Sequence, residues 1–383
     1  MRVLWFANDD LAVAVLSRLC TKTLLLLKCV SKEWHRLISD RSFVCVQSKR
    51  TGPTSGFFFQ ERFQWCNDDI KSISYIPVEM ENNEMLQCTV LDFLPERVVL
   101  MASTNGLICC RSCFPSPQPA FYVCNPVNKD WVSLPFPAPD VGNSLGLAFD
   151  PLQDPIDVST KFRVVKVFKT ETHSEDSVLS FDIFSSATSK WRRSAEICQC
   201  NSKLLKNGGI FIEGMMYWLT DGDQIVMFDL GKELSWLIMT PFPTSQFDVI
   251  PEICIGESEG RLHYVLISEA GLQLWVLQDH FASQWELMFS IALDKFEEEN
   301  PEFLYNVCKR VGSRLTIDVF PWLVPLAYSD GLLLMRVSAN IFSYHFETRK
   351  MRKLCSLSAL GSNSMFYPIV LPLAISLVPL DRP

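Results

Sequence analysis

The chain of 383 residues has no long apolar run and few histidines. The apolar stretch of residues 369–380 is broken by Pro372 and Pro379 and is shorter than the roughly 18 residues that a membrane-spanning helix needs. Five histidines offer few metal ligands, and neither common glycine-rich phosphate-binding loop occurs. We therefore expect no membrane span, no metal and no cofactor.

A secretory signal is also missing. The first apolar run, residues 3–7, ends at Asn8, Asp9 and Asp10, whereas a signal peptide needs an apolar core of roughly 7–15 residues. The 14 cysteines lie mostly inside apolar runs, where a free thiol behaves as a small apolar side chain. We expect a reducing compartment, cytoplasmic or nuclear or both.

Charge is distributed unevenly. The net charge is −8, but residues 1–50 carry +5 and the remaining residues carry −13. Because an acidic body would repel a phosphate backbone, the basic head fits an acidic protein partner better than nucleic acid. A hydrophobic content of 48% is enough for a large core, and the length favours a small unit followed by a large one.

Residues 8–40 have a helical pattern in three short segments, with Asn8 or Asp9 as the first cap and Thr21 as a second start. Their apolar positions are Leu11, Val15, Leu16 and Leu19, then Leu24, Leu25, Leu27 and Val30, then Trp34, Leu37 and Ile38. A unit this small lacks the volume for an independent core. The segments therefore need a partner surface.

The string NDDLAVAVLSRLCTKTLLLLKCVSKEWHRLISDRSF, residues 8–43, resembles the plant F-box. The resemblance implies docking on an acidic Skp-family adaptor and, through it, on a cullin. The residues that it assigns to adaptor binding are the apolar Leu11, Val15, Leu16, Leu19, Val30 and Trp34, with Lys28 and Lys32 facing acidic groups.

The match departs from the F-box pattern in several places. The usual Leu-Pro opening is Ala7-Asn8, an expected proline is Cys20, and a customary Glu and Arg are Ala14 and Leu26. Loss of the apolar, rigid opening would weaken adaptor binding by about 1–2 kcal/mol. Two alternatives stay open, a helical cap that only packs on the body and an F-box protein that has lost adaptor binding.

After Gly52, short aromatic or β-branched runs alternate with turn residues, a pattern typical of many short strands. Two landmarks repeat, a glycine that opens a strand and a tryptophan that closes a hairpin. The glycines are Gly106, Gly214, Gly260 and Gly331, and the tryptophans are Trp131, Trp191, Trp236 and Trp285. Because a ring of repeats hides sheet edges, we predict a six- or seven-bladed β-propeller, with an irregular pair of β-sandwiches as the alternative.

This body resembles the F-box associated domain of plant F-box proteins, a kelch-like propeller family. The resemblance rests on Gly106-Leu107-Ile108, Asn125-Pro126 with Trp131, Leu134-Pro135-Phe136-Pro137, Phe162-Arg163-Val164-Val165 and residues 181–191. It implies substrate recruitment. The predicted organisation is a three-helix F-box over residues 1–45, a linker over 46–56 and a kelch-like β-propeller over 57–383.

Two patterns offer other chemistry. Residues 256–260 match the G-x-S-x-G nucleophile elbow, but that elbow needs a following helix and residues 261–267 favour a strand, so we expect a hairpin turn. The cysteines at 109, 110, 113, 198 and 200 lack the paired spacing and histidines of a zinc site, so buried strand cysteines explain them better.

The sequence predicts a substrate-recognition subunit of an SCF-type cullin ubiquitin ligase, which bridges the adaptor to a protein target and has no catalytic residue. The alternative is a kelch-like propeller enzyme or carbohydrate-binding protein with a non-functional F-box. Target contacts are expected on loops. Two acidic stretches supply the candidates Glu171, Glu175, Asp176, Glu297, Glu298 and Glu299, and they favour a basic target.

Overall fold

The computed structural model describes residues 9–50, 52–61, 73–78, 87–88, 90–113, 116–135, 144–153, 156, 158–171, 177–205, 208–312, 322–360 and 368–381. Four short helices come first: α1 Asp9–Leu16, α2 Thr21–Lys28, α3 Lys32–Ser39 and α4 Arg41–Ser48. The first three confirm the predicted helical segments. The fourth was not predicted, and it runs past the expected end of the module at residue 45.

Side-chain caps mark the starts of α3 and α4. The Ser31 hydroxyl accepts a hydrogen bond from the Trp34 N–H at 3.1 Å before α3, and the Asp40 carboxylate accepts one from the Ser42 N–H at 2.9 Å before α4. Cys20 precedes α2 with a φ of −65°, the angle that proline imposes. The cysteine therefore keeps the backbone geometry of the proline expected in an F-box.

The described part of the body contains 24 strands. Four of its sheets have four strands each, and a fifth has eight. The first sheet contains β1 Gly56–Gln60, β2 Ser74–Pro77 and β3 Gln87–Cys88 with the last strand, β24 Ile369–Leu373. The second contains β4 Val98–Thr104, β5 Leu107–Ser112, β6 Ala120–Asn125 and β7 Asp130–Pro135.

The remaining sheets follow in chain order. The third contains β8 Ser144–Ala148, β9 Arg163–Glu171, β10 Ser177–Ser185 and β11 Lys190–Gln199, and the fourth contains β12 Ile210–Ile212, β13 Met215–Leu219, β14 Gln224–Asp229 and β15 Leu234–Met239. The eight-stranded sheet contains β16 Glu252–Ser258, β17 Arg261–Ser268, β18 Gly271–Asp279 and β19 Gln284–Ile291, then β20 Leu323–Ser329, β21 Leu332–Val337, β22 Asn340–His345 and β23 Lys350–Ser356. Two helices, α5 Leu293–Glu299 and α6 Val307–Gly312, lie between its halves in sequence.

The predicted repeat has a structural basis. Gly106, Gly214, Gly260 and Gly331 have φ angles of 83°, 88°, 70° and 74°, and the residue before each also has a positive φ. Two such residues form the two-residue turn that matches strand twist, and here it joins the first two strands of a four-stranded unit. The four landmark tryptophans lie in the last strands, β7, β11, β15 and β19.

The chain closes the propeller where β24 pairs antiparallel with β1, Gly56 opposite Leu373. A helical head followed by an all-β propeller is therefore confirmed. The predicted count of six or seven separate blades is wrong, because the described residues form four separate four-stranded blades and one double sheet of eight strands.

A missing side chain explains the double sheet. Its halves are joined by a parallel pairing of Gly256 with Tyr328 and of Glu257 with Ser329. A Cβ atom on Gly256 would lie 2.0 Å from the carbonyl oxygen of Tyr328, far inside contact distance. Only glycine lets β16 and β20 approach so closely.

Replacing Gly256 with alanine should therefore destabilise the propeller by about 1–3 kcal/mol, the usual cost of forcing extra atoms into a packed site. Gly312→Ala is the matched control, because nothing lies within 4 Å of a Cβ atom there. Urea unfolding followed by tryptophan fluorescence measures both variants. Equal stability of the two variants would contradict the close approach of β16 and β20.

Candidate functional site

One side of the helical module is buried. Leu24, Ile38 and Phe43 have no solvent exposure, and they belong to an apolar cluster that continues into the propeller through Phe58 and Leu100. The partner surface that the short helices need is therefore within the same chain.

The segment after β24 ties the module to the propeller. Asn125 of β6 donates a hydrogen bond from Nδ2 to the Val378 carbonyl at 2.7 Å. Arg41 of α4 donates to the Ile156 carbonyl at 2.9 Å and forms an ion pair with Asp381. The C-terminal segment thus contacts both units.

Other apolar side chains of the module remain open to solvent. Leu11, Val15, Leu26 and Val30 are 55%, 45%, 65% and 70% exposed. We call these four the exposed apolar residues of the module. Several such residues within about twenty positions favour an interaction site, since single exposed apolar residues are ordinary but groups mark contact surfaces.

The structure divides the predicted adaptor residues into two groups. Leu11, Val15, Val30 and Lys32 are exposed, whereas Leu16 is buried and Leu19, Lys28 and Trp34 are partly buried. Burial lowers the pKa of the Lys28 ammonium, and the nearby Asp130 carboxylate of β7 opposes that shift. In this arrangement the second group packs within the chain, and its role in adaptor binding stays a prediction.

The body contains a cavity of about 640 Å³. Residues of β4, β12, β16, β20 and β24 line it, and Gly52, Pro53 and Thr54 of the segment after α4 complete its wall. The cavity is therefore central to the propeller and adjoins the chain that leads from the helical module.

Acidic residues dominate the charge of this cavity. Asp150, Glu213, Glu257, Glu259 and Asp330 line it, and no Lys, Arg or His is found among its described lining residues. Three of them directly precede a landmark glycine of the repeat. The position before each landmark glycine was therefore the sequence signal for these three cavity acids.

Two of these carboxylates approach the turn at Gly260, and a third is hydrogen-bonded to the segment after α4. The Gly260 N–H donates to Glu257 Oε1 at 2.8 Å, and Glu213 Oε1 lies 3.2 Å from where a Cβ atom on Gly260 would stand. The Asp330 carboxylate accepts hydrogen bonds from the N–H and the hydroxyl of Thr54, both at 2.7 Å. Burial raises the pKa of Glu257, and the charges of Asp330 and Glu213 raise it further.

Most of the first acidic stretch predicted to bind the target lies outside the described residues. Glu171 is the last residue of β9. Glu175 and Asp176 lie outside the described residues. The target-binding role of these three residues stays a prediction.

The second acidic stretch is a helix rather than a loop. Glu297 of α5 accepts hydrogen bonds from the backbone N–H groups of residues 306 and 307, both at 2.9 Å, and so caps α6. Glu299 lies 3.5 Å from Arg349 of the turn between β22 and β23. Glu298 is exposed. The carboxylates of Glu297 and Glu299 therefore already make contacts within the chain.

The patterns that offered other chemistry have structural explanations. Ser258 is the last residue of β16 and pairs with Arg261, and the chain continues into β17. A hairpin turn replaces the strand, turn and helix of a nucleophile elbow, as predicted. Cys109, Cys110, Cys198 and Cys200 are buried. Among the described helices, none is long and apolar enough to cross a membrane.

Comparison with known families agrees with this architecture. Residues 8–45 match the F-box domain, so the chain is an F-box protein with a helical module and a propeller body. Residues 79–304 match the family described as "F-box protein At3g26010-like, beta-propeller". That match covers more than half of the chain, and the chain belongs to this family.

Relatives from Arabidopsis thaliana align along most of their length. The chain is 24% identical over 374 residues to "F-box protein At5g49610", covering 93% of this chain and 92% of the relative. It is also 24% identical over 379 residues to "F-box protein At5g07610", covering 93% and 87%. The family description names a propeller and does not mention kelch repeats.

Two leucines of α2 test the division between the buried and exposed sides of the module. Leu24→Ala should cost about 2–5 kcal/mol of unfolding free energy, because Leu24 is fully buried. Leu26→Ala should change it by at most about 0.5 kcal/mol, since that side chain is 65% exposed. Chemical denaturation of both variants gives the comparison, and similar losses would contradict the orientation of α2.

Proposed function

We propose that the chain is the substrate-recognition subunit of an SCF-type cullin ubiquitin ligase. The helical module holds a Skp-family adaptor, and the propeller holds a protein target for ubiquitination. The observation that supports this most is the group of exposed apolar residues on a module whose other side is buried against the propeller.

Charge supports an acidic partner for the module. Residues 1–50 carry a net charge of +5, and Lys32 is exposed beside the apolar positions of α2 and α3. Complementary charge accelerates association and fixes orientation more than it adds affinity. The proposal places the chain in the cytoplasm, the nucleus or both, with the adaptor.

In this proposed role the chain catalyses no reaction itself. Its contribution is to raise the effective concentration of a target lysine near the conjugating enzyme that the adaptor and cullin bring. A rigid connection between the helical module and the propeller favours this role, because it limits the orientations that a bound target can adopt relative to the conjugating enzyme. The shared apolar cluster and the Arg41–Asp381 ion pair supply that connection.

The double substitution of Leu11 and Val30 by alanine should reduce adaptor binding at least about tenfold, because apolar anchors carry much of the energy of such interfaces. The propeller should stay folded, since both side chains are exposed. Co-expression with a Skp-family adaptor, followed by quantitative co-purification, measures the effect.

Ile250→Ala is the matched control, because Ile250 is apolar and 72% exposed but lies in the body. It should leave adaptor binding unchanged. Undiminished binding by the double variant would remove the module's exposed apolar residues from the proposal, and absence of any binding by the parent chain would remove the proposed adaptor.

A further inference from the structure

We propose that the acidic central cavity binds a lysine or arginine side chain on a basic segment of the target protein. The inference rests on the proposed function and specifies how its target is recognised. It moves the expected contact with a basic target from the acidic stretches at residues 171–176 and 297–299 to the centre of the propeller.

Five carboxylates line the cavity, and its described lining residues include no Lys, Arg or His. Glu213 and Glu257 meet at Gly260, and Asp330 adds its charge to theirs. Arg261, which is not a lining residue, lies 3.4 Å from the Glu259 carboxylate. A cation that enters the cavity would relieve repulsion at a partly buried site, where charges interact more strongly than in water.

The spacing of the carboxylates favours a side chain over a metal ion. No group of three His, Cys, Asp or Glu residues in the described chain is arranged to hold a metal ion. The lining acids are thus too dispersed to surround a single small ion. A guanidinium or ammonium group, with several N–H donors, can hydrogen-bond to carboxylates that lie on different turns.

The size and the apolar part of the lining fit the same ligand. A volume of about 640 Å³ is typical of a site for a small ligand and is too small for a folded surface. Phe211, Ile255 and Leu326 also line the cavity. The aliphatic stem of lysine or arginine packs on such surfaces while its charged end reaches the carboxylates.

The whole chain, purified both alone and with a Skp-family adaptor, can be tested with three fluorescent eight-residue peptides. The peptides alternate glycine with lysine, with arginine or with glutamate, and fluorescence anisotropy reports binding at two salt concentrations. We expect the lysine and arginine peptides to bind, more weakly at high salt, and the glutamate peptide not to bind.

The test variant is E213Q/E257Q, which removes two charges from the cavity and keeps the size of both side chains. The matched control is E298Q/E302Q, which removes two charges at exposed positions outside the cavity lining. The cavity variant should lose about tenfold or more in peptide affinity, equivalent to about 1.4 kcal/mol, and the control less than about twofold. The thermal unfolding midpoint of each variant shows whether it is still folded. The single variant E213Q changes an exposed side chain only, so it tests the cavity charge with little risk to the fold.

Equal losses in the cavity variant and the control would overturn the inference, because the peptides would then sense only the overall acidic field. So would failure of the parent chain to bind either basic peptide. Adaptor co-purification separates the two proposals. A chain that binds the basic peptides through its cavity but never binds an adaptor keeps the inference and rejects the proposed function.

Discussion

Leu24, Ile38 and Phe43 are packed in the same apolar cluster as residues of the propeller, and the helical module depends on that shared core. Four helices of eight residues each cannot enclose enough apolar surface by themselves. Packing one side against the propeller stabilises the helices and fixes their orientation. It also determines which apolar side chains stay exposed, since those that cannot reach the cluster must face solvent or a partner.

The same constraint connects the two ends of the chain. The C-terminal segment reaches the module through the Arg41–Asp381 ion pair, and Ser55, just after the module, donates from its N–H to the Leu373 carbonyl at 2.8 Å. Closure of the propeller by β24 and β1 and placement of the helices are therefore parts of one arrangement. A substitution that disturbs β24 would therefore affect both the closure of the propeller and the placement of the helices.

Much of this architecture could be predicted from the sequence. The three helical segments follow from apolar periodicity, with a side-chain cap at Ser31 for the third, and the glycine and tryptophan repeat follows from a two-residue turn. The double sheet had no local signal, because Gly256 matters only for its approach to Tyr328, about seventy residues away. The burial of Leu16 and the partial burial of Lys28 were missed for the same reason, since helical periodicity shows which residues share a face but not what that face packs against.

The position of the cavity relates the two proposed binding sites. Thr54 follows α4 by a few residues, and it donates two hydrogen bonds to Asp330 at the cavity. The segment predicted to be a linker is thus part of the cavity wall rather than a free tether. A target held in the cavity would be held next to the segment that enters the helical module. Because an ordered connection transmits orientation as well as proximity, the direction in which a bound target would face the proposed adaptor would be set by the fold itself.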